Sequence, residues 1–270
     1  MPRHLIDIPD LSRADVDELF DLADAGPQAR ALAGLTVCAA FFQESTRTRL
    51  GFMSAAARQG AGVLDMGSAD RLRLEPRADQ QLVLSSLADV IAVRHGDATF
   101  AHDLAARHRC CVVNAGAGGA SHPTQALIDA YTLTKALRRD LDGLHVLFLG
   151  PLLRSARSFA ALGALLGIVV SQRDLAEPVA IDAADVIYVQ SLSGTDYTAT
   201  DLNTGSSEPA LPEWAIDGIG SSSALLMHAL PRGREFPDHW LASDRSLVAA
   251  QVEHGLAVRS AVLRWLVRTR

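Results

Sequence analysis

Short apolar runs alternate along the chain with stretches in which apolar residues recur every three or four positions. The runs have the length of buried strands, and the stretches between them have the spacing of amphipathic helices. After a polar break at residues 139–143 the same alternation begins again. The pattern predicts strands at residues 35–42, 62–66, 89–93, 111–113, 144–149, 168–170 and 184–189. A long loop is expected at residues 195–220, which are rich in serine, threonine, glycine and proline.

Strands that alternate with helices favour parallel sheets that carry helices on both faces. The sequence therefore predicts an α/β fold with two doubly wound parallel-sheet domains, which are joined by interdomain helices. The first domain is expected at residues 1–138 and is completed by a closing amphipathic helix at residues 245–270. The second, shortened domain is expected at residues 139–244.

The composition limits the possible partners of the chain. Its 270 residues carry a formal net charge of −6, which gives no overall basic signal for nucleic acid. No apolar run reaches the length of a membrane span, and the first residues lack the apolar core of a signal peptide. Cys38, Cys110 and Cys111 form neither a disulfide framework nor a zinc-binding spacing. We therefore expect a cytoplasmic protein that binds no nucleic acid, no metal and no membrane.

Polar residues cluster directly after the first predicted strand. Residues 45–49 read Ser-Thr-Arg-Thr-Arg and lie where that strand ends and the next helix begins. In parallel α/β folds, ligands bind beyond the carboxyl ends of the strands, and a helix N-terminus attracts anions. The hydroxyl groups and the forked guanidinium of Arg47 suit phosphate oxygens. A helix cap followed by a surface arginine fits the same residues, and the pattern alone leaves both interpretations open.

Several segments of the chain resemble the aspartate and ornithine carbamoyltransferases. Residues 45–49, which follow two phenylalanines, resemble the carbamoyl-phosphate signature of that family. Further matches follow in the family's order at residues 93–95 (Val-Arg-His), 122–129 (His-Pro-Thr-Gln-Ala-Leu-Ile-Asp), 227–232 (Met-His-Ala-Leu-Pro-Arg) and 251–259. The turn at residues 228–232 lacks the cysteine that is typical of the ornithine enzymes, so the aspartate branch is the closer relative.

The resemblance implies a carbamoyltransferase that needs no metal or organic cofactor. Residues 1–138 would bind carbamoyl phosphate, and residues 139–244 would bind the second substrate. Thr48, Arg94 and His122 would be catalytic, because they would stabilise the negative charge that develops on the carbonyl oxygen. The residues expected to contact carbamoyl phosphate are Ser45, Thr46, Arg47, Thr48, Arg94, His122, Gln125, Ala229 and Leu230, the last two through their backbone carbonyls. The resemblance also implies a homotrimer.

The chain departs from the family where the second substrate binds. By the simplest alignment, Ser191 and Ser193 replace an arginine and a glutamine, and the family's arginine grips the side chain of aspartate. A serine cannot form a bidentate ion pair with a carboxylate. The residues predicted to contact the second substrate are Arg157, Ser191, Ser193 and Arg232, and Arg154 is an alternative arginine.

A second departure concerns the family's mobile loop, which matches residues 69–78. In the family this loop inserts a lysine into the site of a neighbouring subunit. Here the loop contains no lysine and carries Arg71, Arg73 and Arg77 instead. One of these arginines would therefore act in a neighbouring subunit as a cation at the transferring phosphate.

These observations leave three hypotheses for function. The first is a carbamoyltransferase whose acceptor is an amine other than aspartate, with little or no carbamoylation of aspartate. The second is a non-catalytic homologue that binds a phosphate ligand or a partner protein. The third is a different reaction in the same phosphate pocket. We favour the first, because residues 45–49, Arg94, His122 and Gln125 are all retained.

Overall fold

The computed structural model describes residues 2–67, 71–116, 118, 121–176, 178, 181, 183–192 and 210–268. By its internal contacts the chain divides into two compact units. Unit 1 comprises Met1–Tyr131 and Glu253–Arg270, and unit 2 comprises Thr132–Val252.

Unit 1 is built on a four-stranded parallel sheet with the strand order β2-β1-β3-β4. The strands are β1 (Thr36–Phe41), β2 (Gly62–Met66), β3 (Val90–Arg94) and β4 (Cys111–Asn114). The helices are α1 (Arg13–Asp24), α2 (Thr46–Arg58), α3 (Arg77–Leu87), α4 (Phe100–Arg107) and the first part of α5 (Pro123–Leu137). Short 3-10 helices lie at Ile8–Asp10 and Arg71–Leu74.

Strands β1, β3 and β4 are buried on both faces, as their continuous apolar sequences predict for a parallel sheet. All residues of β3 and β4 are buried, and so is β1 after Thr36. The edge strand β2 is mostly exposed, which accounts for its mixed sequence. In the register of the sheet, Phe41 pairs with Arg94 and Val93 pairs with Asn114. The segments that follow β1, β3 and β4 therefore all start at one edge of the sheet.

Unit 2 contains a second four-stranded parallel sheet, with the order β6-β5-β7-β8. The strands are β5 (His145–Leu149), β6 (Val169–Arg173), β7 (Val186–Val189) and β8 (Leu225–Met227), and the helices are α6 (Arg154–Leu166), α7 (Glu213–Ser221) and α8 (Asp238–Leu241). Three buried rings join α6 to the sheet. The ring of Phe148 lies 4.6 Å from that of Tyr188 and 5.4 Å from that of Phe159 between centroids.

Helix α9 (Val248–Val267) begins in unit 2 and ends in unit 1, whereas α5 begins in unit 1 and ends in unit 2. Two four-stranded parallel sheets with flanking helices confirm the predicted fold class. The polar break at residues 139–143 follows the end of α5, so it marks the end of a helix that already belongs in part to unit 2. Among the described residues, no helix combines the length and the apolar character of a membrane span.

The prediction of a loop at residues 195–220 was wrong in its last part, because α7 occupies Glu213–Ser221. Ala215 and Ile219 are four residues apart on this helix, and both are buried in the core of unit 2. The surrounding serines and glycines concealed these two positions in the sequence. Residues 195–209 of the predicted loop lie outside the described residues.

We expect Phe148→Ala to lower the free energy of unfolding by about 3–5 kcal/mol, because the lost ring leaves a cavity in the core. Val252→Ala is the control, since Val252 is 55% exposed on α9. This change should alter stability by no more than about 0.5 kcal/mol. Urea denaturation followed by circular dichroism measures both variants, and equal losses in the two would contradict the structural importance of the aromatic cluster.

Candidate active site

The first turn of α2 presents hydroxyl groups and a cation beyond the end of β1. The side chain of Ser45 makes no capping hydrogen bond to a described residue, and its Oγ donates instead to Oγ1 of Thr48 at 3.1 Å. Because Ser45 does not cap α2, the first-turn N–H groups remain available to an anion. Thr48 is buried, whereas Arg47 reaches solvent, and partial burial lowers the pKa of Arg47. The geometry supports the anion site over the simple helix cap.

Arg94 and His122 lie close together around Gly116. Arg94 is buried at the end of β3, and its Nη1 donates to the carbonyl oxygen of Ala115 at 3.5 Å. Gly116 has a φ of +113°, and a Cβ at this position would lie 2.5 Å from Nη1 of Arg94 and 3.6 Å from Cδ2 of His122. A larger residue at Gly116 would therefore displace Arg94. Glycine leaves the room in which the arginine and the histidine approach each other.

The start of α5 orients the side chains that follow His122. The amide Nε2 of Gln125 donates to Oδ1 of Asp129 at 2.8 Å, and Asp129 is fully buried. Since the donor end of the amide is directed at Asp129, the carbonyl oxygen of Gln125 is the end that can accept a hydrogen bond from a ligand. Asp129 stands in the sequence string at residues 122–129, but that string gave no sign that this carboxylate orients Gln125.

The three arginines of the predicted mobile loop have different surroundings. Arg77 forms ion pairs with Asp97 and Asp103, and its Cζ lies 5.5 Å from the centroid of the Phe100 ring. Arg71 and Arg73 are exposed on the 3-10 helix. The fold therefore engages Arg77 within its own chain and leaves Arg71 and Arg73 at the surface.

In unit 2, a buried histidine and glutamate hold the turn that follows β8. Nδ1 of His228 accepts a hydrogen bond from the N–H of Leu230 at 2.9 Å, so the ring proton is on Nε2, which lies 3.1 Å from Oε1 of Glu235. The same carboxylate oxygen accepts from the N–H of Gly233 at 2.7 Å. Burial raises the pKa of Glu235, but the hydrogen bonds from His228 and Gly233 outweigh burial and bring this pKa below its ordinary value.

The same turn contains a cis peptide bond between Leu230 and Pro231, and Ala229 and Leu230 are half-buried within it. Glu235 was missed by the sequence analysis. An acidic residue close to the 227–232 string was visible, but its burial and its bond to His228 depend on the fold.

The arginines predicted to contact the second substrate also differ. Arg232 is paired with Asp238, and its Nη1 donates to the carbonyl oxygen of Phe236 at 3.0 Å. Arg157 is exposed on α6. Arg154 is the first residue of α6 and is half-buried, and this burial lowers its pKa. Ser191 is half-buried after β7, whereas Ser193 lies outside the described residues.

Comparison with known proteins identifies relatives of the whole chain. Residues 3–135 match the family described as aspartate/ornithine carbamoyltransferase, carbamoyl-P binding domain. The aspartate carbamoyltransferase catalytic subunit of Methylorubrum extorquens is 35% identical over 300 residues, which cover 98% of this chain and 94% of the relative. The protein of the same name from a Nocardioides species is 35% identical over 307 residues, with coverage of 99% and 95%.

Solved structures show the same fold. The ornithine carbamoyltransferase of Pyrococcus furiosus has a TM-score of 0.82 at 27% identity, over 97% of this chain and 96% of that chain. The aspartate transcarbamoylase of Trypanosoma cruzi, solved with aspartate and phosphate, also has a TM-score of 0.82, at 24% identity and with coverage of 98% and 95%.

The relatives overturn one prediction. The serines at positions 191 and 193 led us to expect an acceptor other than aspartate, whereas relatives that are 35% identical over 98% of the chain are aspartate carbamoyltransferase catalytic subunits. Losing an arginine at one position does not remove positive charge from unit 2, where Arg154 remains. The matched motifs, the full-length relatives and the two parallel sheets agree, and the chain belongs to the aspartate/ornithine carbamoyltransferase family.

Proposed function

We propose that this protein transfers the carbamoyl group of carbamoyl phosphate to the amino group of aspartate. The observation that carries this proposal is the approach of Arg94 and His122 around Gly116, in the unit that also presents the uncapped first turn of α2. The relatives named as aspartate carbamoyltransferase catalytic subunits support aspartate as the acceptor.

In this reaction the amine nitrogen of aspartate attacks the carbonyl carbon, and a new C–N bond forms. The carbonyl oxygen becomes negatively charged until the C–O bond to phosphate breaks, and the proton of the attacking nitrogen passes to the departing phosphate. Thr48, Arg94 and His122 supply the donors that stabilise this oxygen. Arg94 contributes a cation that is already buried, so little reorganisation is needed when the charge develops.

The phosphate group binds at the start of α2 and leaves as a dianion. Arg47 and the first-turn N–H groups of α2 stabilise it, and Ser45 and Thr46 add hydroxyl donors. Binding and electrostatic stabilisation of this kind hold the reactants in place and need no proton relay through the protein.

The amino group of the carbamoyl moiety needs acceptors. Gln125 offers its carbonyl oxygen, because Asp129 binds the other end of its amide. The backbone carbonyls of Ala229 and Leu230 are the further acceptors, and the hydrogen bond from Leu230 N–H to His228 fixes the conformation of their turn.

Aspartate brings two carboxylates, and Arg154 is the arginine of unit 2 best suited to bind one of them. It is half-buried at the N-terminus of α6, and no carboxylate of the described residues forms an ion pair with it. Arg232 already pairs with Asp238, and Arg157 is exposed. Ser191 adds a hydroxyl donor after β7.

We also infer a cytoplasmic homotrimer in which exposed loop arginines act in a neighbouring subunit. Arg71 and Arg73 are exposed, whereas Arg77 is held by two carboxylates of its own chain. Arg71 or Arg73 therefore takes the place of the family's lysine as a cation for the phosphate.

Arg47→Ala should raise the dissociation constant for carbamoyl phosphate and for inorganic phosphate by at least about 30-fold, because truncating a charged contact costs about 2–5 kcal/mol. Arg58→Ala is the matched control, since Arg58 is exposed at the other end of α2, and it should bind like the wild type. Isothermal titration measures both affinities. Unchanged affinity in the Arg47 variant would place the phosphate elsewhere.

The wild-type protein should release phosphate from carbamoyl phosphate when L-aspartate is added, with saturation in aspartate. Arg154→Ala should lower kcat/KM for aspartate by at least about 30-fold, with an unchanged KM for carbamoyl phosphate, because it removes the cation that binds a carboxylate. Arg157→Ala, on the exposed side of the same helix, should keep wild-type kinetics. Normal kinetics in the Arg154 variant would exclude this residue, and a wild type inactive with aspartate would refute the acceptor.

The shared site can be tested by subunit mixing. Arg47→Ala and the double variant Arg71→Ala/Arg73→Ala should each be inactive. After dissociation and reassembly at equal amounts, activity should return to about a quarter of the wild-type value, since each mixed cyclic trimer holds one site with both sets of arginines. The control is each variant dissociated and reassembled without the other. No recovery in trimers verified to be mixed, or a monomer by light scattering, would contradict the proposal.

A further inference from the structure

Arg259 is a buried arginine close to the start of α2, and no step of the proposed reaction uses it. It lies on α9 and is 7% exposed. A Cβ added at Gly51 of α2 would lie 2.8 Å from its Nη1, and a Cβ added at Gly255 of α9 would lie 2.6 Å from the same atom. Glycines on two different helices therefore leave the space that this guanidinium occupies.

The charge of Arg259 is not balanced within the described part of the chain. Its Nε is buried without a hydrogen-bond partner, and no carboxylate contributes to the shift of its pKa. Its Cζ lies 5.9 Å from the centroid of the Phe52 ring. Burial, together with the nearby positive charge of Arg47, lowers the pKa of Arg259 to about 10. A buried charge without a counter-charge destabilises a folded protein.

Arg259 packs against the face of α2 that also carries Arg47. Arg47 and Gly51 are four residues apart, so they lie one turn above each other on the helix. The guanidinium that packs against Gly51 is therefore about one turn from the first turn of α2. Two cations in this arrangement repel each other while the site holds no anion, and a dianion bound at the first turn attracts both.

We propose that Arg259 is a positioning residue for the phosphate group of carbamoyl phosphate, which acts through α2 and Arg47 as a second fixed positive charge. The inference rests on the proposed function. The ligand supplies the counter-charge that the described fold lacks, so the buried cation favours the phosphate-bound form over the empty form. Arg259 thereby lowers the stability of the protein without ligand and raises its affinity for a dianion.

The test compares two variants that separate charge from packing. Arg259→Met removes the charge and keeps a long, flexible side chain, whereas Arg259→Lys keeps the charge. The dissociation constant for inorganic phosphate should rise about tenfold or more in the methionine variant, and it should stay within about threefold in the lysine variant. The methionine variant without phosphate should melt no lower than the wild type, because it loses an uncompensated buried charge.

Arg264→Met is the matched control on the same helix. Arg264 is also a buried arginine of α9, but its Nη2 donates to the carbonyl oxygen of Leu22. We expect this change to lower the melting temperature and to leave phosphate affinity unchanged. If Arg259 had only a packing role, Arg259→Met would behave in the same way as this control.

Steady-state kinetics provide a second readout. Arg259→Met should raise KM for carbamoyl phosphate and leave KM for aspartate unchanged. If the methionine variant fails to fold, Arg259→Gln replaces it in every measurement. Wild-type phosphate affinity in the neutral variants, while Arg47→Ala weakens phosphate binding as expected, would overturn the inference and leave the proposed function intact. A wild-type protein that binds no phosphate would refute the proposed function itself, and the inference with it.

Discussion

The parallel pairing of β1, β3 and β4 is the constraint on which the candidate site depends. Because Phe41 pairs with Arg94 and Val93 with Asn114, the three strands end at the same edge. Three chain segments distant in sequence therefore begin together: the segment that leads into α2, the segment that starts at the buried Arg94, and the segment that starts at Ala115 and Gly116. Buried apolar strands fix this edge, so the polar groups do not have to hold it in place themselves.

The sequence was sufficient for features that depend on local pattern. Apolar runs predicted the strands, and the end of the first run located the hydroxyl-rich segment at residues 45–49. Features that depend on pairing between distant residues were out of reach. Arg77 is separated from Asp97 and Asp103 by an entire strand, and only the folded unit shows that they neutralise it. Glu235 and Arg259 were overlooked for the same reason, since burial of a charge has no local signature.

The wrong prediction of the acceptor shows that a binding site cannot be judged from aligned positions alone. A carboxylate requires a cation and donors at suitable distances, and these can come from more than one strand or helix. The serine at position 191 was treated as the loss of a function, although the charge of unit 2 also depends on Arg154 at the start of α6. An arginine can bind a substrate carboxylate only if no carboxylate of the protein already holds it. Arg232 forms an ion pair with Asp238, whereas Arg154 forms no ion pair with a carboxylate of the described residues.

Unit 1 is not a continuous piece of chain, and this has a consequence for biosynthesis. Its sheet is complete after β4, but Glu253–Arg270 are made only after all of unit 2. Domains generally fold as they emerge from the ribosome, amino-terminal part first. Here unit 2 can finish folding first, whereas unit 1 is incomplete until the last three-quarters of α9 has been made. Unit 1, which contains the match to the carbamoyl-P binding domain, would therefore finish folding last, and a nascent chain would stay inactive until residues 253–267 have been made.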